Sequence, residues 1–265
     1  MAGLTAATLA WPAMVSSTEA ESTKLAAIAG PIVLVHGAWH GGWVWRHVAD
    51  HLRQMGHDVH APSLTGLGSR RHLADLAINL STHVDDLVGL IESEEMRNAI
   101  VVAHSYAGMV ATAAVGRIHE RLAGLVFLDA FIPADGESML TWTDPATVTG
   151  SLATARAGRF LLPPPPAAFG IGPADSSNSQ WLERRLDPHP LATLFERARV
   201  NEDVLLSLPR TAIVCTEPVF NPALPDHLAK RFDDSGYRLH ELAAPHNAMV
   251  THPNQVAKLI HEVTA

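Results

Sequence analysis

Residues 98–108 read Asn-Ala-Ile-Val-Val-Ala-His-Ser-Tyr-Ala-Gly, a β-branched run that stops at a serine set among small residues. The apolar run Ile100 to Ala103 suits a buried parallel strand, and the Ala- and Val-rich stretch Met109 to Arg117 has helical character. Ser105 is therefore expected at a strand-to-helix turn. Such a turn is sharp and strained, and it lifts the serine Oγ clear of the sheet while the following helix N-terminus points backbone N–H groups towards it. The strain demands small neighbours two residues to either side; here they are Ala103 and Ala107, followed at once by Gly108. The stretch is an Ala-x-Ser-x-Ala variant of the G-x-S-x-G nucleophile elbow. A serine at such a turn is also common in doubly wound folds where it has no catalytic task, so other segments have to carry part of the argument.

Residues 31–45, Pro-Ile-Val-Leu-Val-His-Gly-Ala-Trp-His-Gly-Gly-Trp-Val-Trp, give a second buried strand that ends at His36-Gly37 and opens into a loop rich in Gly and Trp. A serine that attacks an acyl carbon needs two N–H donors for the developing oxyanion. One usually comes from the residue after the nucleophile and one from a loop after an earlier strand. The N–H groups of Tyr106 and Ala38 fit those roles, while His40 reads as part of a tight turn. Near the C-terminus, His240-Glu-Leu-Ala-Ala-Pro-His246-Asn-Ala-Met follows a short strand and precedes a helix. Serine is a poor nucleophile at neutral pH and needs a neutral imidazole to take its proton. Among sixteen histidines, His246 stands out as the candidate base because it occupies a loop after the last expected strand, late in the chain.

Taken with Pro62-Ser-Leu-Thr-Gly-Leu-Gly, Phe127-Leu-Asp-Ala-Phe-Ile-Pro and Val214-Cys-Thr-Glu, these segments make the chain similar, over about residues 31–263, to α/β-hydrolases of the bacterial esterase group related to plant methylesterases and hydroxynitrile lyases. The resemblance implies an α/β fold with a mostly parallel doubly wound sheet and an inserted cap, a Ser-His-acid triad, and no metal or organic cofactor. It also implies an acid directly after the Cys-Thr-Glu string, but Pro218 stands there and has no side-chain acceptor. Two carboxylates remain: Asp129, at the end of the strand Gly124 to Leu128, and Glu217, at the end of the strand Thr211 to Cys215. Asp129 is favoured because it lies one crossover beyond the nucleophile strand, at the carboxyl edge of the sheet where catalytic groups of open α/β sheets collect, and its short side chain is easily held rigid. Glu217 is the alternative acid.

The chain has 265 residues, 47% of them hydrophobic, which suits one large core. A net charge of −8 with no Lys/Arg run argues against a nucleic-acid partner. The single cysteine, Cys215, excludes an internal disulfide and reads as a small buried hydrophobe. Residues 1–29 form an N-terminal extension: Ala2 to Val15 resembles the latter part of an export signal, yet the first basic residue is Lys24, so the basic n-region is missing. A truncated signal and a flexible extension both fit, which leaves localisation open between cytoplasmic and exported. No apolar run is long enough to span a bilayer.

Strand and helix patterns alternate up to Asp129, implying a hydrolase core over 30–133 and 207–265 with helices on both faces of the sheet. Residues 134–206 break the pattern with Leu161-Leu-Pro-Pro-Pro-Pro, Phe169-Gly-Ile-Gly and Asp187-Pro-His-Pro, and read as a cap insertion that roofs the site. Pro62 to Leu73 is expected as a pocket-edge loop. Thr82 with Asp85 resembles a capping box at the helix that follows, and Asp85 and Asp86 read as structural.

The expected activity is cleavage of a carboxylic ester of a small, largely apolar molecule by Ser105, His246 and Asp129 through an acyl-enzyme. Gly37, Trp39, Phe131 and Trp181 are candidate substrate contacts, although the aromatic residues as a set also fit ordinary core and cap packing. Lactone hydrolysis uses the same triad and is the first alternative, with a hydrolase-like small-molecule receptor the second. Hydroxynitrile lyases generally carry a Thr beside the first strand and a Lys after the catalytic His; here Gly37 and Asn247 stand there, which argues against cyanohydrin cleavage.

Overall fold

A computed structural model describes residues 30–172, 175–217, 224–233 and 236–264. The extension expected over 1–29 lies outside the described residues. The chain runs β1 (Ile32–Val35), α1 (Arg46–Gln54), β2 (Val59–His60), α2 (Leu80–Ser93), β3 (Ala99–His104), α3 (Ala107–Ile118) and β4 (Leu122–Leu128). After β4 come α4 (Pro145–Arg156), α5 (Ser176–Glu183), α6 (Ala192–Phe195) and α7 (Glu202–Ser207), and then β5 (Arg210–Cys215), α8 (Leu224–Asp233), β6 (Arg238–Leu242), α9 (Ala248–Thr251) and α10 (Pro253–Thr264). The sheet has the order β2-β1-β3-β4-β5-β6 with every described pairing parallel. It is the doubly wound α/β-hydrolase architecture.

Period-2 alternation in continuously apolar strands divides the core. Val33, Val35, Val101, Ala103, Leu125 and Phe127 face α2 and α3, where Leu87, Ile91, Val110 and Ala114 meet them. Ile32, Leu34, Ile100, Val102, Val126, Leu128 and Ile213 face the other way, against Val48 and Leu52 of α1 and Val256 and Ile260 of α10. Burial on both faces is what confines these strands to β-branched and Leu-rich runs. Between β4 and β5 the segment 134–206 is built differently, from short helices and the isolated antiparallel bridge Leu161↔His189.

Register sets what happens at the carboxyl edge. Val35 pairs with Ala103, and His104 pairs with Leu128. Ser105 and Asp129 therefore leave adjacent strands side by side, with the His36-Gly37 exit of β1 next to them. Gly108 lets α3 close down on this edge: a Cβ there would fall 2.2 Å from the Phe131 carbonyl oxygen.

The entry to α2 corrects the sequence reading. Asn79, not Thr82, is the N-cap: its side chain accepts from the Thr82 N–H at 3.0 Å, and Thr82 Oγ1 accepts from the Asn79 N–H. Asp85 pairs instead with Arg117 on the surface, and Asp86 accepts from Thr65 and Arg70. Asn79→Ala should lower the free energy of unfolding by about 1 kcal/mol in urea titration, while the exposed Asp85→Ala change stays within about 0.5 kcal/mol. Equal losses would return the cap to the Thr82–Asp85 arrangement.

Candidate active site

Ser105 sits at φ +55, in the left-handed region that a non-glycine residue enters at a cost. Its N–H donates to the Leu128 carbonyl (3.2 Å), and its carbonyl accepts from Gly108 and Phe131 N–H (3.0 and 3.1 Å). Ala103 and Ala107 are fully buried on either side. The kink leaves Oγ facing His246, whose Nε2 lies 3.0 Å away.

On the other side of the His246 ring, Nδ1 donates to Asp129 Oδ2 at 2.5 Å. Asp129 is itself at φ +45, and its N–H donates to Ile213 O at 2.7 Å. The second carboxylate oxygen, Oδ1, accepts from the Cys215 N–H at 3.2 Å. All three side chains are buried. Glu217 is exposed, and its described bond is through the backbone, from its N–H to Ala244 O at 3.1 Å. Cys215 is buried beside Asp129, and that burial, with the carboxylate second, pushes its thiol strongly upward. It is held as a neutral thiol.

The backbone N–H groups of Ala38 and Tyr106 find no acceptor among the described residues. Gly37 accounts for how close the β1 loop comes to the elbow, since a Cβ there would lie 2.9 Å from Ser105 Cβ. The loop is held by buried histidines. His36 Nε2 accepts from the Leu64 N–H (3.0 Å), so its Nδ1–H donates to Gly37 O (2.9 Å). His40 Nε2 accepts from the Asn247 side-chain amide (3.2 Å), and its Nδ1–H donates to Ala38 O (2.6 Å). His189, from the segment 134–206, accepts the Trp39 N–H on Nδ1 at 3.3 Å. Burial is the main cause that lowers His36 to about 3 and His40 to about 4, and it takes His189 well below the usual imidazole value.

Two more buried histidines flank the site. His104 Nε2–H donates to the His246 carbonyl at 3.0 Å, tying the candidate base to the residue before the serine. His83 receives the Tyr106 hydroxyl on Nδ1 (3.0 Å) and donates from Nε2 to Thr65 O (2.9 Å). Burial lowers both rings, His104 the further. Sequence reasoning treated His40 as a turn residue and passed over His83 and His189. None of their roles is signalled locally, because each depends on a partner far away in the chain.

Of the candidate substrate contacts, Gly37, Trp39 and Phe131 lie against the elbow or its loop. Trp181 lies further out: its ring packs on Trp43 (5.1 Å between centroids), with the Arg185 guanidinium 4.9 Å above it. Phe169 takes the nearer position, stacked on His246 (6.2 Å, 19°) and close to His40 and Trp39. The sequence offers Phe169 only as one of a set of aromatics that also fits core and cap packing, and nothing local sets it apart from the others. Among the described residues no group of three or more His, Cys, Asp or Glu side chains is placed to ligate a metal ion, and no helix is long and apolar enough to cross a membrane.

Comparison with known proteins agrees with this architecture. Residues 32–259 match the family model described as alpha/beta hydrolase family. A carbendazim hydrolyzing esterase from a Nocardioides species is 35% identical over 85% of this chain and 96% of its own length. Methylesterase 10 of Arabidopsis thaliana is 26% identical over 88% of this chain and 91% of its own. Among solved structures, an extracellular alpha/beta-hydrolase from a Paenibacillus species superposes with a TM-score of 0.75 at 23% identity, covering 88% of this chain and 98% of that one.

The neutral histidines carry a pH dependence. An unfolded chain protonates histidine near pH 6.5, whereas His36, His40, His83, His104 and His189 resist protonation when folded. Unfolding therefore takes up protons below pH 6.5, and stability falls as the pH drops from there towards the lowered values of 3 to 4 of His36 and His40. At about pH 5.5 the His36 and His40 rings each cost roughly 1 kcal/mol, and His83, His104 and His189 shift the balance in the same direction. Urea unfolding at about pH 7.5 and 5.5 should show that loss; equal stability at both would mean the rings are charged in the folded protein.

Proposed function

Because the chain belongs to the alpha/beta hydrolase family and is an ester-cleaving hydrolase like its relatives, we propose that it works as a serine esterase on small, largely apolar carboxylic esters. The observation that carries this reading is the hydrogen-bonded chain Ser105–His246–Asp129 beside two backbone N–H groups that no described residue claims. Ser105 Oγ attacks the ester carbonyl carbon and gives its proton to His246 Nε2. The oxygen of the tetrahedral intermediate takes the negative charge, and the Ala38 and Tyr106 N–H groups stabilise it. As the C–O bond to the alcohol breaks, Nε2–H protonates the leaving oxygen, and Ser105 keeps the acyl group. Water then loses a proton to Nε2 and attacks the acyl carbon, and the proton returns to Ser105 Oγ as the acid departs. Asp129 holds the Nδ1–H tautomer throughout and stabilises the imidazolium.

Phe169, Phe131 and Trp39 surround this chemistry with apolar surface, which supports an apolar acyl or alcohol group. The name of one relative, a methylesterase, favours a small alkoxy leaving group. The segment 134–206 acts in this reading as the cap: Phe169 covers His246 and limits the water that reaches it. A lyase reading fits poorly, since Gly37 has no room for a side chain against Ser105 and Asn247 is bonded to His40.

Turnover of p-nitrophenyl butyrate tests the assignment, with circular dichroism to verify folding. Ser105→Ala should lower kcat by about 10⁵-fold or more. Asp129→Asn should lower it by roughly 10³–10⁴-fold and Glu217→Gln by no more than about twofold. A folded Ser105→Ala protein with wild-type activity would end the serine mechanism, and a reversed ranking of the two acids would move the third member to Glu217.

A further inference from the structure

Every polar group of Trp39, the residue next to the Ala38 donor, is bonded to the segment between β4 and β5. Its N–H donates to His189 Nδ1 (3.3 Å), its carbonyl accepts from the Asp187 N–H (2.9 Å), and its indole Nε1–H donates to Leu161 O (3.1 Å). Leu161 and His189 are bonded to each other through both backbone groups, at 2.9 and 2.8 Å. The indole ring packs on the His189 and Phe169 rings (6.0 and 5.9 Å). Trp39 itself is held at φ +64, a conformation that an unsupported tryptophan would leave.

The protonation of His189 is fixed by its neighbours. Its Nε2–H donates to Thr193 Oγ1 (2.8 Å), which donates in turn to Pro190 O (2.7 Å). The lone pair is thereby left on Nδ1, facing the Trp39 N–H. The ring is fully buried, and that burial holds it well below the usual imidazole value, which favours the neutral form with its acceptor.

We infer that His189 is a positioning residue for ester cleavage: by accepting the Trp39 N–H it holds the loop that aims the Ala38 N–H at the developing oxyanion, and so makes the segment 134–206 part of the oxyanion site. The inference rests on the serine esterase reading. The force is mechanical, since the Trp39 peptide is linked directly to Ala38 and a misplacement of about 1 Å at a reacting centre can cost around 100-fold in rate. An oxyanion donor acts only once charge has developed, so the loss should fall on kcat and leave KM in place.

Side-chain geometry provides the test. The Oδ1 of an asparagine occupies the place of the histidine Nδ1, whereas the terminal amide of a glutamine occupies that of Nε2. With p-nitrophenyl butyrate, His189→Gln should lose roughly 10- to 100-fold in kcat at nearly unchanged KM, and His189→Asn should stay within about fivefold of the wild type. Affinity for an alkyl trifluoromethyl ketone, whose adduct with Ser105 carries an oxyanion, should fall in parallel with kcat. Circular dichroism and thermal melts accompany each variant, and Thr193→Val, which frees Nε2–H, replaces His189→Gln if that protein does not fold. Wild-type kcat in the Gln variant, equal losses in Asn and Gln, or a loss confined to KM would overturn the positioning role. Ser105→Ala, run alongside, separates the two ideas: if it is inactive, such an outcome removes only the role of His189, and if it retains wild-type turnover the esterase reading falls and the inference with it.

Discussion

Three backbone kinks at one edge of the sheet govern the rest of the site. Ser105 and Asp129 leave neighbouring strands at positive φ, and Trp39 does so in the loop after β1. Each such residue costs of order 1–3 kcal/mol and persists only where its surroundings over-determine it. Here they do: the backbone groups of Ser105 are taken by Leu128, Gly108 and Phe131, the Asp129 N–H by Ile213, and those of Trp39 by His189 and Asp187. The parallel register brings the first two kinks level, so that one imidazole on the loop after β6 reaches both the hydroxyl and the carboxylate.

Around those kinks the protein uses neutral imidazole as a structural linker. A buried neutral ring has one donor and one acceptor nitrogen, and His36, His40, His83 and His189 each have both engaged, joining segments that no strand ladder connects. Two backbone carbonyls and one N–H along Gly37–Trp39 are fixed this way. Asn247 extends the arrangement, since it follows the candidate base and holds the ring that fixes Ala38. Burial keeps the rings uncharged, which preserves the pattern of donors and acceptors but leaves stability exposed to acid.

The sheet and its two-sided core were legible because continuous apolar strands and amphipathic helices announce themselves locally. Ser105, Asp129 and His246 stood out because a strained turn needs small neighbours and because chain order restricts where an acid and a base can lie. The cap of α2 was misplaced by three residues: Asn79 and Thr82 both suit a capping role, and only the backbone angles decide between them. His189 escaped notice for a different reason, and Phe169 was legible only as one of a set of aromatics. Their segment has no regular period, and their meaning comes from contacts across about 130 to 150 positions with Trp39. Trp181, prominent as an aromatic, packs its ring on Trp43.

The bonds between Trp39 and the chain connecting β4 to β5 bear on how such a protein can diversify. A roof that merely rested on the sheet could be exchanged between relatives as an independent module, altering which molecules are admitted and nothing else. Here the segment 134–206 supplies an acceptor, a donor and a carbonyl to a single residue of the first loop, so a transplanted segment would meet a Trp39 it was not shaped to hold. Recombination at the ends of β4 and β5 would carry a penalty unless the first loop travelled with it, and inheritance of the two as one unit is the arrangement this geometry favours.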